Sequence, residues 1–337
     1  KVYLISNFSK DKECIEKSGI ITIQFNINRS KVNPFLDLYS VFRLIKIYKK
    51  IQPDILHHVA LKPAILGTIS AKFIKVDKII NALGGLGWVF TSKLIYAKFI
   101  KVIVKYSLSK LLKQSNMIIQ NKYDAKILED LGFENNVSII EGVGIDHQEY
   151  LPKKHNESNS TKIALIGRML KDKGVLEYVE MAKRVKKKYN EEVVFFLVGR
   201  VDLLNPSNIK KTKILNWQDK GVVQYIEWVN NMNVFLNQID IVCLPSYREG
   251  LPHALVEAMA SGLPIITTDV PGCNSMVKKS KNGYLVQPRD SNSLIEATMT
   301  LIKDKRERKR MGENSRKISL GRFDKKIIFK QILSLYQ

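Results

Sequence analysis

Short apolar segments alternate with longer amphipathic ones along the sequence, and this alternation limits the fold more than any other feature. Runs of about five residues, such as Val2–Ser6 and Lys162–Ile166, are typical of strands buried in a sheet. Segments with helical spacing lie between such runs, for example Leu36–Ile51 and Val175–Tyr189. Strands and helices that alternate in this way indicate parallel sheets covered by helices. The sequence therefore predicts an α/β fold.

One polar stretch interrupts the alternation. Residues 152–161 are rich in Lys, Asn and Ser and show no periodicity, which is typical of a linker. Because 337 residues exceed what one core usually holds, we expect two α/β domains, 1–152 and 162–318. Ligands of such sheets bind at the carboxyl ends of the strands, so the predicted ligand site is the cleft between the domains.

Composition excludes several classes of protein. The three cysteines, Cys14, Cys243 and Cys273, lie far apart, which predicts no disulfide framework and favours a reduced, cytoplasmic protein. The five histidines show no spacing typical of a metal site. No apolar run approaches the roughly 18 residues of a membrane-spanning helix, and no signal peptide is visible. We therefore expect neither a secreted nor an integral membrane protein.

The chain is strongly basic, with 55 Lys and Arg against 32 Asp and Glu and a net charge of +23. Such a surface attracts nucleic acids, anionic lipids or phosphorylated ligands. No module that interleaves aromatic and basic residues is visible, so we expect no nucleic-acid partner. A basic nucleic-acid-binding protein remains the non-enzyme alternative.

The first motif is the stretch from Ile166 to Gly174, which follows a predicted strand and precedes a predicted helix. Gly167 allows a close approach of the backbone, and Arg168 and Lys173 lie near the positive end of the helix. This arrangement suits a diphosphate. The alternative is a solvated basic loop.

The second motif runs from the end of a strand through a turn into a helix that begins near His253. Glu249 lies before the helix and Glu257 one turn inside it. The backbone amides of Gly250 and Leu251 could bind anionic oxygens, and the two carboxylates could hold sugar hydroxyls. The alternative makes Glu249 a carboxylate favoured by the helix dipole and Glu257 a surface residue.

In this order and spacing, the motifs resemble the donor domain of retaining nucleotide-sugar glycosyltransferases of the family-4 type. The resemblance is close from about Lys162 to Asp290 and weaker over the rest of the chain. It implies the GT-B fold, in which two Rossmann-like domains face a central cleft. The residues that carry it are Gly167-Arg168, Lys173-Gly174, Glu249 and Glu257 around Gly250-Leu-Pro252, Ala260-Ser-Gly-Leu-Pro264 and Pro271-Gly272.

The resemblance assigns the catalytic residues. It implies that Arg168 and Lys173 neutralise the donor diphosphate and that Glu249 contacts the donor sugar. It also implies that Glu257 binds the ribose. The other implied donor-binding residues are Gly167, Gly250 and Leu251 at the phosphates and Trp228 and Val229, next to Glu227, at the base.

Such enzymes use no metal and no cofactor besides the nucleotide-sugar substrate, because cationic side chains and helix termini stabilise the leaving diphosphate. The implied reaction retains the anomeric configuration.

The N-terminal half departs from many relatives, which carry a histidine where this chain has a glycine-rich turn after Lys78–Asn81. This variant resembles a subgroup that builds bacterial surface polysaccharides and glycoprotein glycans on polyprenyl diphosphate, often from UDP-N-acetylhexosamines. The acceptor-side candidates are His57, His58, Lys62, Gly84, Gly85 and Gly87. The alternative for the histidine pair is a packed strand end. A soluble or protein acceptor is the other alternative.

Both ends of the chain also bear on the resemblance. Relatives open with a strand–helix unit before a strand like Val2–Ser6, so we expect that unit, about 25 residues in length, to be missing here. At the other end, residues 319–337 should form a helix that begins around Gly321–Asp324 and returns towards the N-terminal domain.

The stretch from Lys78 to Tyr123 contains eight lysines and no acidic residue. Within it, Lys93–Lys113 combines basic, apolar and aromatic residues at helical spacing, as interfacial helices do. We expect this segment to hold the protein on the anionic inner face of the plasma membrane. The alternative is a domain helix with its lysines in water.

Overall fold

The computed structural model describes residues 1–8, 11–27, 33–86, 102, 105–133, 136–152, 160–278 and 281–337. In its N-terminal part the strands are β1 (Tyr3–Ser6), β2 (Ile21–Gln24), β3 (Ile55–Val59), β4 (Lys78–Leu83), β5 (Asn116–Ile119) and β6 (Val137–Ile139). The helices there are α1 (Lys12–Lys17), α2 (Pro34–Ile51), α3 (Leu61–Ala71) and α4 (Lys122–Glu129), with a π-helical turn at Ser107–Leu112.

The second part begins at residue 161. Its strands are β7 (Thr161–Ile166), β8 (Val193–Val198), β9 (Gln224–Ile226), β10 (Ile241–Leu244), β11 (Ile265–Thr268) and β12 (Gly283–Val286). Its helices are α5 (Val175–Tyr189), α6 (Lys211–Asp219), α7 (Met232–Leu236), α8 (His253–Ala260), α9 (Ser291–Lys303), α10 (Lys305–Arg322) and α11 (Lys325–Ser334).

The strands form separate parallel sheets. One has the order β3-β4-β5-β6, with β1 and β2 as a further parallel pair, and the other has the order β12-β11-β10-β7-β8-β9. All the strand pairs described are parallel. The α/β fold class predicted from the sequence is thereby confirmed.

Each of the two larger sheets has its own core. Behind the six-stranded sheet, the fully buried Tyr178 packs edge-on against Phe195 with ring centroids 5.9 Å apart. The Tyr178 hydroxyl donates to the Ile163 carbonyl oxygen at 2.8 Å, so this large polar group is satisfied inside the core. Met117 and Leu128 are fully buried beside the four-stranded sheet.

The chain crosses from one domain to the other near Ile145 and crosses back near Phe323, and these two segments lie side by side. The Ile145 amide donates to the Phe323 carbonyl at 2.8 Å, and the Lys325 amide donates to the Ile145 carbonyl at 3.0 Å. Helix α11 then lies against the four-stranded sheet, where Ile328 is buried with Ile80. The two crossing segments therefore support each other.

The expected helix over residues 92–113 lies mostly outside the described residues. Two other elements differ from the sequence-based expectation. Helix α1 escaped prediction because its six residues are mostly polar and show no apolar periodicity. The last helix begins at Lys325 rather than near Gly321, because the Asp324 carboxylate accepts a hydrogen bond from the Lys326 amide at 2.8 Å.

In the part of the chain that the structure describes, no helix is both long enough and apolar enough to cross a membrane.

Candidate active site

The loop after β7 is held by glycines that pack against neighbouring backbone. Gly174 has φ +71°, and a Cβ there would lie 2.7 Å from the Pro245 carbonyl carbon, in the loop after β10. Gly199 has φ +137°, and a Cβ there would lie 2.7 Å from the Gly167 carbonyl carbon. Only glycine allows these approaches, so the loops after β7, β8 and β10 form one surface at the carboxyl edge of the sheet.

The two predicted motifs meet in an ion pair. The Lys173 ammonium nitrogen lies 2.5 Å from Glu249 Oε1, and the two side chains are 20% and 11% exposed. Ser246 Oγ donates to the same carboxylate oxygen at 2.7 Å. Lys173, predicted to bind the diphosphate, thus touches Glu249, predicted to bind the sugar. Ser246 holds the Glu249 carboxylate from a second direction.

Arg168 lies apart from this pair. Its guanidinium donates to the Asp202 carboxylate at 2.7 Å, and its side chain is more than half exposed. The two predicted phosphate-binding cations therefore occupy different positions, with Lys173 inside the cleft and Arg168 at its rim.

A second turn supports the loop that carries Glu249. The Glu249 amide donates to the Pro271 carbonyl at 3.2 Å. Gly272 has φ +82°, and a Cβ there would lie 2.6 Å from both the Glu249 carbonyl carbon and the Gly250 oxygen. The Pro271-Gly272 pair of the sequence motif therefore sets the backbone path at Glu249.

The glycine-rich loop after β4 approaches this same backbone from the other domain. A Cβ on Gly85 would lie 3.3 Å from the Gly250 Cα, and a Cβ on Gly250 would lie 2.9 Å from the Gly84 carbonyl carbon. Gly85 also has φ +136°. Gly84, Gly85 and Gly250 thus make a close backbone contact across the cleft. Gly87 lies outside the described residues.

Polar groups reinforce that contact, and we call Asn121, Asp124, Arg248 and Gly250 the interdomain clasp. Arg248 Nη2 lies 2.8 Å from Asp124 Oδ1, and Asn121 Nδ2 donates to the Gly250 oxygen at 3.0 Å. Asp124 is 1% exposed and its other oxygen accepts hydrogen bonds from the Leu86 amide and Asn121 Nδ2. The clasp joins the glycine-rich loop to the Glu249 loop.

The motifs of the sequence give no role to Asn121, Asp124 or Arg248. Asn121 directly follows a strand and its side-chain oxygen accepts from the Asp124 amide at 2.8 Å, capping α4. A polar cap at the carboxyl end of a predicted strand was a signal that could have placed it in the cleft. Its partners on the other domain could not be read from the sequence.

Glu257 lies on the second turn of α8, as predicted, and accepts a hydrogen bond from the Tyr150 hydroxyl at 2.7 Å. Burial, together with this carboxylate, holds the pKa of Tyr150 well above its usual range, so Tyr150 stays a donor at neutral pH. Tyr150 therefore orients the Glu257 carboxylate.

The region predicted to hold the base is an exposed aromatic surface. Trp228 is 62% exposed, and the Arg200 guanidinium lies 4.3 Å from the centre of its ring. Trp228 Nε1 donates to Asn230 Oδ1 at 3.0 Å, while Val229 packs against the core. Glu227 pairs with Lys211 at 2.6 Å. Arg200 was not among the predicted residues.

His58 lies in the interior of the N-terminal domain rather than on the cleft. Its Nδ1 lies 2.8 Å from Asn81 Oδ1 and its Nε2 lies 3.2 Å from the Tyr48 hydroxyl. Burial lowers the pKa of His58 to about 4, so the ring is neutral at physiological pH. The alternative of a packed strand end describes His58.

The other two acceptor-side candidates also have partners away from the Glu249 loop. His57 Nδ1 lies 2.6 Å from the Tyr336 hydroxyl, and burial lowers its pKa. Lys62 forms an ion pair with Asp37 at 2.6 Å. Of the predicted acceptor-side residues that the structure describes, only Gly84 and Gly85 meet the loop that carries Glu249.

A cleft of about 690 Å³ opens beside the clasp. Residues 121–123 line it from one domain and Gly272 and Ser275 from the other, with Arg322 at its edge. No group of three or more His, Cys, Asp or Glu side chains within the described ranges could hold a metal ion.

Comparison with known proteins gives two family matches. Residues 146–318 match the family "Glycosyl transferases group 1", and residues 1–121 match "Glycosyl transferase 4-like".

Among characterised relatives, the chain is 28% identical over 352 residues to a Campylobacter jejuni protein, covering 100% of this chain and 90% of the relative. That protein is the N,N'-diacetylbacillosaminyl-diphospho-undecaprenol alpha-1,3-N-acetylgalactosaminyltransferase. This chain is also 26% identical to the Escherichia coli UDP-Gal:alpha-D-GlcNAc-diphosphoundecaprenol alpha-1,3-galactosyltransferase, covering 80% of this chain and 71% of the E. coli protein.

Among solved structures, Anabaena HepE in complex with UDP has a TM-score of 0.78 at 16% identity, covering 99% of this chain and 98% of HepE. Sucrose-phosphate synthase from Thermosynechococcus elongatus also has a TM-score of 0.78, at 18% identity, covering 94% and 82% of the two chains. At these identities the likeness concerns the fold, and it agrees with the GT-B architecture expected from the sequence.

Proposed function

The chain belongs to the group 1 glycosyltransferase family, and on that premise we propose that it moves a sugar from a UDP-sugar to a glycan carried on a polyprenyl diphosphate. The observation that carries this proposal is the meeting of Lys173 and Glu249 beneath a glycine-rich loop from the other domain. That arrangement brings one cation, one carboxylate and close-packed backbone from both domains together.

The donor diphosphate would lie between the Gly167 loop and the backbone amides of Gly250 and Leu251. Lys173 would exchange part of its contact with Glu249 for the phosphate oxygens, and Arg168 would act from the rim. Both cations stabilise the charge that grows on the leaving diphosphate, which is a preorganised electrostatic effect and requires no metal. We therefore propose a metal-independent reaction.

Glu249 would contact the donor sugar, since its carboxylate is held by Lys173 and Ser246 next to Gly250, whose backbone the glycine-rich loop approaches. We propose a front-face displacement with retention. The acceptor hydroxyl oxygen bonds to the anomeric carbon while the bond from that carbon to the β-phosphate oxygen breaks. The hydroxyl proton passes to the leaving phosphate, so UDP departs carrying it.

The nucleoside would lie along the same edge of the sheet. Glu257, oriented by Tyr150, supplies a carboxylate for the ribose hydroxyls. Trp228 backed by Arg200 supplies an exposed aromatic face for the base. HepE, of the same fold, is described in complex with UDP, and this supports a uridine nucleotide here.

The choice of acceptor rests on the relatives. The C. jejuni and E. coli enzymes are both named for acceptors on diphospho-undecaprenol. The C. jejuni enzyme transfers N-acetylgalactosamine, which supports an N-acetylhexosamine as the donor sugar of this chain. An acceptor of this kind requires a place at the cytoplasmic face of a membrane, and we propose peripheral association there.

The basic segment Lys93–Lys113 is one candidate for that association. Most of it lies outside the described residues, and within it Val102 and Tyr106 are exposed. Replacing Lys98, Lys101 and Lys105 with glutamate should weaken flotation with anionic liposomes if this segment contributes.

The experiment that tests the proposed function is a transfer assay with UDP-GalNAc, UDP-GlcNAc, UDP-galactose and UDP-glucose. The acceptor is a monosaccharide on a short-chain polyprenyl diphosphate, and thermal melts follow donor binding. We expect one UDP-sugar to raise the melting temperature and to be transferred. Transfer only to a soluble sugar or protein would favour the second enzymatic alternative. Stabilisation by single-stranded DNA and by none of the UDP-sugars would contradict the proposal.

A further inference from the structure

Helix α2 has two apolar stripes instead of one. Its inner stripe, Val41, Leu44 and Tyr48, is buried in the N-terminal domain. Near its start, four large apolar side chains at the spacing i, i+3, i+4 and i+7 point outward instead. We call these four residues the outer stripe: Phe35, Leu38, Tyr39 and Phe42, which are 84%, 55%, 60% and 57% exposed.

The two stripes lie on different faces of the helix. At about 100° per residue, the outer stripe is centred roughly 140° away from the inner one. A domain helix of the usual kind would carry polar residues on this face. Large apolar side chains that recur on one exposed face indicate a surface that binds a membrane or another molecule.

Lysines extend the exposed face of α2 towards its carboxyl end. Lys46, Lys49 and Lys50 follow the outer stripe at i+4, i+7 and i+8 from Phe42, so the exposed face is apolar in its first half and cationic in its second. The acidic residue of α2, Asp37, lies towards the inner face and is paired with Lys62. Aromatic side chains followed by lysines suit the boundary between headgroups and acyl chains of an anionic bilayer.

The position of the outer stripe also matters. Only residues 52–54 connect the end of α2 to the start of β3, so the helix folds back along the strand and its start lies towards the strand's carboxyl end, which faces the cleft. The ion pair between Asp37 and Lys62, on the first turn of α3, holds the start of α2 at this edge. A bilayer that receives the outer stripe would therefore lie at the mouth of the active-site cleft.

We propose that the outer stripe inserts into an anionic lipid surface, with Lys46, Lys49 and Lys50 on the headgroups. A second copy of the chain is a poorer occupant, because a two-fold contact on this face would set the three lysines of each copy against the partner's lysines if the helices are parallel, or against its apolar side chains if they are antiparallel. The docking itself stands on α2 alone. Its purpose, delivery of a lipid-borne acceptor to the cleft, rests on the proposed function.

The test is flotation of the full chain with vesicles of phosphatidylcholine alone and with about one third phosphatidylglycerol, at low and high salt. The apolar variant is Phe35→Ser/Leu38→Ser/Phe42→Ser, and the charge variant is Lys46→Glu/Lys49→Glu/Lys50→Glu. The matched control is Leu203→Ser/Leu204→Ser, which removes two leucines that are 80% and 82% exposed on the other domain.

Wild type and control should bind the anionic vesicles equally, and the apolar variant should bind at least about tenfold more weakly at both salt concentrations. The charge variant should lose binding mainly at low salt, where lysines contribute most. All exchanged residues are exposed, so melting temperatures should stay close to wild type. Equal binding by wild type and the apolar variant, or no binding by wild type, would overturn the proposal.

Size-exclusion chromatography in the absence of lipid tests whether a second copy of the chain binds the outer stripe. A wild-type dimer that the apolar variant abolishes would show that the outer stripe binds a second copy and would also overturn the proposal. Transfer to a short-chain acceptor in detergent separates this inference from the proposed function. Lost flotation with normal transfer there supports docking, whereas normal flotation without any transfer contradicts the proposed function alone.

Discussion

Replacing Arg248 with alanine should weaken the contact between the two domains more than it weakens either domain. The Arg248 guanidinium lies 2.8 Å from the Asp124 carboxylate, and the two side chains are only 12% and 1% exposed. Arg248→Ala leaves a buried carboxylate without its cation, a change that typically costs about 3–5 kcal/mol. Asp124 keeps its hydrogen bonds from the Leu86 amide and Asn121, which reduce the penalty.

We therefore expect a loss of about 2–3 kcal/mol in the free energy of domain closure, which is roughly a 30- to 150-fold change in the closure equilibrium. Since the clasp brings the glycine-rich loop onto the Glu249 loop, kcat/KM should fall by about one to two orders of magnitude. Arg248→Lys keeps the charge but not the planar fork and should recover part of the activity.

Three measurements check this expectation: steady-state transfer kinetics, X-ray scattering with and without UDP, and a double-mutant cycle with Asp124→Asn. The cycle should give a coupling energy of about 1.5 kcal/mol or more, because the two groups touch. The control is Arg310→Ala, which breaks an exposed pair with Glu307 on α10 and should change stability by less than about 1 kcal/mol. Kinetics within twofold of wild type for Arg248→Ala, or a coupling energy near zero, would refute the reasoning.

The remaining predictions concern the donor site and the histidine network. Glu257→Ala should mainly raise the donor KM and Glu249→Ala should mainly lower kcat; the reverse pattern in steady-state kinetics would contradict their roles. Arg168→Ala and Lys173→Ala should each reduce kcat/KM by roughly ten- to a hundredfold, since a charge-assisted contact is worth about 1.5–3 kcal/mol, and unchanged values for both would reject the assignment. Transfer should survive EDTA; a loss that Mg²⁺ or Mn²⁺ restores would show a metal requirement. Because the pKa of His58 is about 4 in the folded chain and about 6.5 unfolded, up to about 3 kcal/mol of stability should be lost as pH falls from 6.5 to 4, and denaturant unfolding of His58→Gln should show a flatter pH dependence.

The local features of the sequence were enough to predict the fold class and to single out the loops that carry Lys173 and Glu249. Strand and helix periodicity is a short-range property, so the strand Lys162–Ile166 and the start of α8 near His253 were predicted close to their observed places. The spacing of Glu249 and Glu257 is likewise local to one loop and one helix. These elements were predictable because backbone hydrogen bonding and one-sided burial act within about a dozen residues.

Contacts between distant segments depended on the tertiary structure. Asp124 and Arg248 are 124 residues apart, and they meet because the carboxyl ends of two parallel sheets face each other across one cleft. No periodicity within either segment encodes that partner. For the same reason the sequence could not distinguish an acceptor-facing His58 from one that packs against Tyr48 and Asn81.

Helix α2 shows which features the sequence determines and which only the tertiary structure decides. The helical spacing of Leu36–Ile51 was enough to predict a helix there. It could not decide which of two apolar stripes is buried, because both have helical spacing and similar side chains. The tertiary structure decided it by packing Val41, Leu44 and Tyr48 into the domain and leaving Phe35 and Phe42 exposed. Burial is a property of the neighbours that surround a side chain, and only the folded chain supplies them.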